Sequence, residues 1–179
     1  FHSKKPFDPK ALVDRMNSIW APQANVVFNL VSSNPVLIDE GVEIAKILKS
    51  KNQKEQLPST VVVERFEGLF NRFKDPNADL TMFLVEKVAR LDRPQSLNVT
   101  AKEGVTNPIL GISFISDSRT SDPDLLAHEA GHFLGSHIGP DGSFVVFGHK
   151  GGTTDLMQLG GSAVGKIPFH DVGDFNKTP

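Results

Sequence analysis

The 179-residue chain predicts an α+β fold: a mixed sheet, helices packed around it and an irregular final stretch. Three observations carry that prediction. Two Asp-Pro pairs, Asp8-Pro9 and Asp122-Pro123, each open a segment whose apolar residues recur at helical spacing. Runs of β-branched and apolar residues at 24–32, 80–88 and 111–115 read as strands placed between helices. Beyond Gly135, glycine pairs at 151–152 and 160–161 punctuate a chain with only short apolar runs.

The elements follow in order. Residues 1–8 are polar. From Pro9 a first helix sets Leu12, Val13, Met16, Ile19 and Trp20 at helical spacing, and it is expected to close before Pro22, because proline breaks the hydrogen-bond ladder. Ala24 to Ser32, ANVVFNLVS, then reads as a strand that Ser33-Asn34-Pro35 ends. Val42, Ile44, Ala45, Ile47 and Leu48 suggest a second helix over 38–48. The stretch 49–56, with Lys49, Lys51 and Lys54, reads as its solvated end and a loop rather than a binding patch. Val61 to Phe73 predicts a third helix with Val62, Phe66, Leu69, Phe70 and Phe73 on one side. Three consecutive valines blur its start.

After the break at Asp75-Pro76-Asn77, Leu80 to Val88 is nearly continuous apolar and fits a central strand buried on both faces. Leu97 to Ala101 is a further short strand. Gly111-Ile112-Ser113-Phe114-Ile115 is another, directly ahead of a strongly marked helix. Asp122 supplies a capping carboxylate there, Pro123 the first helical position and Asp124 an acid in the first turn. On that helix Leu126, Ala127, Ala130, Phe133 and Leu134 share one arc, while His128, Glu129 and His132 share the other. One arc wants a core; the other is expected to face a cleft. Gly139-Pro140-Asp141-Gly142 is a turn, and Ser143 to Phe147 one strand of a hairpin. Lys166 to Asn176 closes the chain as a short helix with Ile167, Phe169, Val172 and Phe175 as its apolar positions.

Composition narrows the function classes. Apolar residues make up 39% and charged residues 22%, an ordinary globular balance, and the length suits one domain spanning 1–179. A formal net charge of −2 argues against nucleic acid or an anionic membrane as the main partner. No apolar run approaches the roughly 18 residues of a membrane span. With no cysteine, disulfides, thiolate ligands and a cysteine nucleophile are excluded, and the compartment stays undecided. The chain begins at Phe1 rather than methionine, which predicts a processed form or a fragment.

The chemistry concentrates in His128-Glu129-Ala130-Gly131-His132-Phe133-Leu134-Gly135-Ser136-His137. Two histidines four apart on a helix stand one turn above each other, so both imidazoles can reach one metal ion. The Glu129 carboxylate beside that face can reach a water on the metal without occupying a ligand position. Gly135 can take the left-handed conformation that ends a helix and turns the chain sharply, delivering His137 as a third ligand. Three protein ligands leave one tetrahedral position for water, as a catalytic zinc requires.

This pattern resembles the metzincin metallopeptidases, whose signature is H-E-x-x-H-x-x-G-x-x-H followed by a methionine turn. Here the order is His128, Glu129, His132, Gly135 and His137, with Asp155-Leu156-Met157 downstream. One departure stands out: the family has two residues between the glycine and the third histidine, and this chain has only Ser136. The resemblance implies a catalytic domain with an N-terminal lobe of about residues 1–135, a small C-terminal lobe of about 136–179 and a cleft between them. It implies Zn2+ as cofactor, Met157 as the methionine turn, and Gly111, Ile112, Ser113 and Phe114 on an edge strand that receives a peptide as an added strand. It further implies a secreted or extracellular monomer that acts on protein or peptide. Many secreted relatives lean on disulfides, so the absence of cysteine favours a compact or bacterial-type member.

The third ligand stays open between His137 and others. No glutamate follows Glu129, which closes the glutamate-ligand route. Gly152-Thr153-Thr154-Asp155 looks like the segment of an aspartate-ligand class, one residue short, and makes Asp155 the main rival; His149 and Asp141 are further candidates. His2, His149 and His170 otherwise read as surface residues. The expected activity is zinc-dependent endopeptidase, with Glu129 as general base for a zinc-activated water. The alternative is a non-catalytic zinc-binding domain in which a fourth side chain fills the open position.

Overall fold

The structure, a computed structural model, describes residues 7–35, 60–91, 99–116 and 123–145. Within them the chain is mixed α+β, with three helices and eight short strands. Helix α1, Pro9–Ala24, opens as its sequence predicts. Asp8 accepts hydrogen bonds from the Lys10 and Ala11 N–H groups at 2.9 and 3.3 Å, and Pro9 takes the first helical position. It runs on through Pro22 rather than stopping before it. In the last turn that ring removes little of the ladder. The helix closes at Asn25, whose left-handed backbone (φ 55°, ψ 32°) lets its N–H reach the Ala21 carbonyl at 3.1 Å.

The strand expected over Ala24–Ser32 does not form: Ala24 is helical, and residues 25–35 pair with no strand. Asn17 supplies the reason. Its side-chain amide donates to the Phe28 carbonyl at 2.9 Å and accepts from the Phe28 N–H at 2.7 Å. A single side chain thus takes the two groups that a neighbouring strand would have paired.

Strand β1, Thr60–Val62, leads directly into helix α2, Val63–Asn71, so two of the three valines at the predicted helix start belong to a strand. The apolar run over 80–88 is likewise two elements. It divides at Glu86 into β2, Thr81–Val85, and β3, Lys87–Leu91. Strands β4, Val99–Lys102, and β5, Gly104–Asn107, follow, then β6, Ile112–Ser116. Gly111 precedes β6 with φ +60°, and a Cβ there would collide with the Asp79 carbonyl, so the position requires glycine. Helix α3, Pro123–Leu134, comes next, then a small hairpin of β7, His137–Ile138, and β8, Phe144–Val145.

Two three-stranded sheets result. One has the order β1-β3-β4, with β1 parallel and β4 antiparallel to β3. The other has the order β2-β6-β5: Phe83 of β2 registers parallel with Phe114 of β6, and Thr106 of β5 antiparallel with Ser113. The central, fully buried place expected of 80–88 therefore belongs to β6.

Alternation along β6 sends its side chains into two cores. Ile112 and Phe114 join Val63, Phe70, Phe83, Val85 and Val88 on one side. There the Phe70 ring meets Phe83 and Phe114 edge-on, with centroids 4.6 and 4.8 Å apart. Ile115 joins Met16, Ile19, Trp20, Leu126 and Ala130 on the other side. That second core holds α3 in place. The buried Trp20 indole N–H donates to the Ala127 carbonyl at 3.1 Å, and Arg15 binds Asp124 Oδ1 in the first turn of α3 through Nε and Nη2 at 3.0 and 2.7 Å.

Candidate metal centre

Helix α3 carries the predicted constellation. His128 and Glu129 are buried, His132 is half-buried, and one ligand atom from each lies within 4.8 Å of the others. Among the described residues this is the group of histidine and acidic side chains that can hold a metal ion. The His128 and His132 rings stand at 89° with centroids 4.8 Å apart, and their Nε2 atoms are separated by 3.2 Å. Two nitrogens at the Zn–N distance on a tetrahedral ion lie about 3.3–3.4 Å apart. The pair fits one metal.

Glu129 does not face an open cleft. Its side chain turns towards the sheet, against β5. Thr106 Oγ1 lies 2.6 Å from Glu129 Oε2, 3.1 Å from the Glu129 carbonyl and 2.7 Å from the Ser113 hydroxyl. A Cβ added at Gly104 would lie 2.8 Å from both Cγ and Cδ of Glu129, so the carboxylate occupies the space that glycine leaves on the strand. Burial pushes the Glu129 carboxyl up from its ordinary 4.5 to about 7, against the Thr106 hydrogen bond, which pulls it down. The arc expected to line a cleft is therefore packed on its Glu129 side, while His132 retains partial access to solvent.

His137 stands apart from this group. It is exposed, it pairs with Val145 in the hairpin, and its Nδ1 lies 3.1 Å from the Gly135 carbonyl. The cause is local. Positive φ among the described glycines occurs at Gly111 and Gly142, so Gly135 does not make the left-handed turn its sequence suggests. Ser136 instead closes the helix by donating to the His132 carbonyl at 2.6 Å, and the chain leaves in an extended direction. Asp141 is exposed and engaged in its own turn, accepting from the Ser143 N–H and hydroxyl at 3.0 and 2.6 Å.

The edge-strand assignment is corrected. Ile112, Ser113 and Phe114 belong to β6, which is paired on both flanks, with Gly111 just before it, so this segment offers no free edge to a peptide. The outer places in that sheet, among the described residues, fall to β2 and β5. Met157, Asp155, His149, His2, His170, the helices expected over 38–48 and 166–176, the lysine-rich stretch 49–56 and the capping Asp122 lie outside the described residues.

Two residues beside Glu129, Gly104 and Thr106, carry no signal in an apolar-pattern reading, because Gly104-Val105-Thr106-Asn107 has a single apolar side chain. Compared with known protein families, curated proteins and solved structures, the chain matches none. The candidate metal centre accordingly rests on its own geometry. No helix among the described residues is long and apolar enough to cross a membrane.

Proposed function

We propose that the chain is a zinc-dependent peptide hydrolase, and the observation that carries the reading is the His128–Glu129–His132 cluster with its 3.2 Å nitrogen separation. His128 and His132 would hold the ion through Nε2. The third ligand would be His137, which is exposed in the hairpin, or Asp155. When bound, zinc supplies Lewis acidity that brings its water's pKa towards about 7 and carries charge developing on the scissile carbonyl.

The chain's own residues do the rest. Glu129, adjacent to the two histidines, takes a proton at a carboxylate oxygen as water attacks the carbonyl carbon, then returns it to the departing amine nitrogen. Among the described strands, β5 is the edge that fits an extended peptide: it is outermost in its sheet, and Thr106 on it touches Glu129.

The test is hydrolysis of casein together with metal analysis. Chelator-sensitive cleavage is expected, abolished in Glu129→Ala while one zinc per chain remains, with His132→Ala losing the metal. Zinc without turnover in the unmutated chain would instead establish a non-catalytic metal-binding domain. Asp155→Ala and His137→Ala separate the third-ligand assignments, since the true ligand's loss lowers zinc content.

A further inference from the structure

Beneath the metal helix lies a pair of hydroxyls, one buried and one half-buried, that the reaction as described does not use. Ser113, fully buried on β6, places its Oγ 2.7 Å from Thr106 Oγ1, directly across the β5–β6 register. Thr106 has one hydroxyl proton and three oxygen neighbours, Glu129 Oε2, the Glu129 carbonyl and Ser113 Oγ. The shortest contact, 2.6 Å to Glu129 Oε2, takes that proton when the carboxylate is ionised, and Ser113 then donates to Thr106. Every member of the chain Ser113, Thr106, Glu129 thus has a defined role as donor or acceptor.

The same contact bears on coordination. One Glu129 carboxylate oxygen lies within 4.8 Å of the two imidazole nitrogens, so a small swing of the side chain off Thr106 would let it ligate a metal held there. Bound to zinc, it would be a much weaker base towards water. From this we infer that Thr106, oriented by Ser113, is a positioning residue that anchors Glu129 on β5 and keeps it out of the metal's coordination sphere.

The inference rests on the hydrolase reading for its kinetic arm and is independent of it for its spectroscopic arm. Thr106→Val removes the donor at nearly constant shape, and Thr106→Ser restores it. In Thr106→Val the peptide-hydrolysis kcat should fall roughly ten- to a hundredfold, the loss expected for a hydrogen bond to a charged group, with little change in KM; Thr106→Ser should recover most of that loss. With Co2+ in place of zinc, Thr106→Val should show weaker visible d–d absorption than the unmutated protein, because an added carboxylate raises the coordination number. Metal affinity should rise in parallel.

An unchanged cobalt spectrum and affinity in Thr106→Val would overturn the inference, whatever the activity. Should the unmutated chain bind cobalt yet hydrolyse nothing, the hydrolase reading fails and the spectrum alone decides the role of Thr106. If Thr106→Val does not fold, Ser113→Ala supplies the second variant. A spectral change in the same direction but smaller supports the relay, and a spectrum identical to the unmutated protein's overturns it.

Discussion

Gly104→Ala probes the centre with the smallest possible perturbation, one methyl group. The added Cβ would lie 2.8 Å from Glu129 Cγ and Cδ, well inside van der Waals contact, and Gly104 has no positive φ to strain an alanine. Two opposing effects follow. Replacing glycine lowers the entropy of the unfolded chain and stabilises by about 0.4–1 kcal/mol. Overpacking costs about 1–3 kcal/mol, and if Glu129 swings away it also loses the Thr106 hydrogen bond, about 1.5–3 kcal/mol for a charged acceptor. The steric side wins, so the variant should be destabilised by about 1–3 kcal/mol, with hydrolysis reduced at least about tenfold because the displaced carboxylate leaves its place. Urea unfolding of the metal-free protein measures the first quantity and casein cleavage the second. In a Glu129→Ala background the obstacle is gone, and Gly104→Ala should become neutral or mildly stabilising. The double-mutant cycle should therefore return a coupling of about 2 kcal/mol. Additivity of the two substitutions would refute the placement of Glu129 against β5.

Three further outcomes follow from the same geometry. In metal-free protein the Glu129 carboxyl is raised from 4.5 to about 7 in the folded state. Stability should therefore be greatest below the unfolded value and decline as pH rises to about 7, by on the order of 3 kcal/mol; Glu129→Gln should flatten that slope in urea titrations. Trp20→Ala empties the core between α1 and α3 and removes the donor to the Ala127 carbonyl, so unfolding free energy should drop by about 3–5 kcal/mol, with zinc affinity falling as α3 loosens. Asn17→Ala releases both backbone groups of Phe28 and should cost about 1–2 kcal/mol, with hydrogen exchange at the Phe28 amide accelerating ahead of the amides of α3.

What the sequence disclosed and what it hid have separate physical causes. Helices α1 and α3 were legible because their starts are covalently marked: proline at the first position and, for α1, an aspartate whose carboxylate meets two free N–H groups. Such signals act within one turn and need no tertiary context. The histidine pair was legible for the same reason, since i and i+4 on a helix are neighbours in any fold. The misread strands involve partners further away in sequence, whereas the missed turn at Gly135 is a local matter of how Ser136 closes the helix. The Val26–Val31 run has the composition of a strand, yet the side chain of Asn17 takes the place of a neighbouring strand at Phe28. Strand β5 has almost none of a strand's composition, yet β6 pairs with it over four residues.

The edge-strand error shows how such partners change a functional reading. The resemblance puts the edge strand at 111–115 because that segment lies directly ahead of the histidine helix. Its apolar residues make it central instead: Ile112 and Phe114 fill one core and Ile115 the other, so β6 must be covered on both faces. The outer place in the sheet is better served by Gly104-Val105-Thr106-Asn107, where Val105 alone anchors the core and its neighbours stay small or polar. Polarity there also meets the needs of the centre. Glycine makes room for a carboxylate and threonine holds it, so the residues that disguise β5 as a loop in sequence are the ones that place Glu129 beside the two histidines.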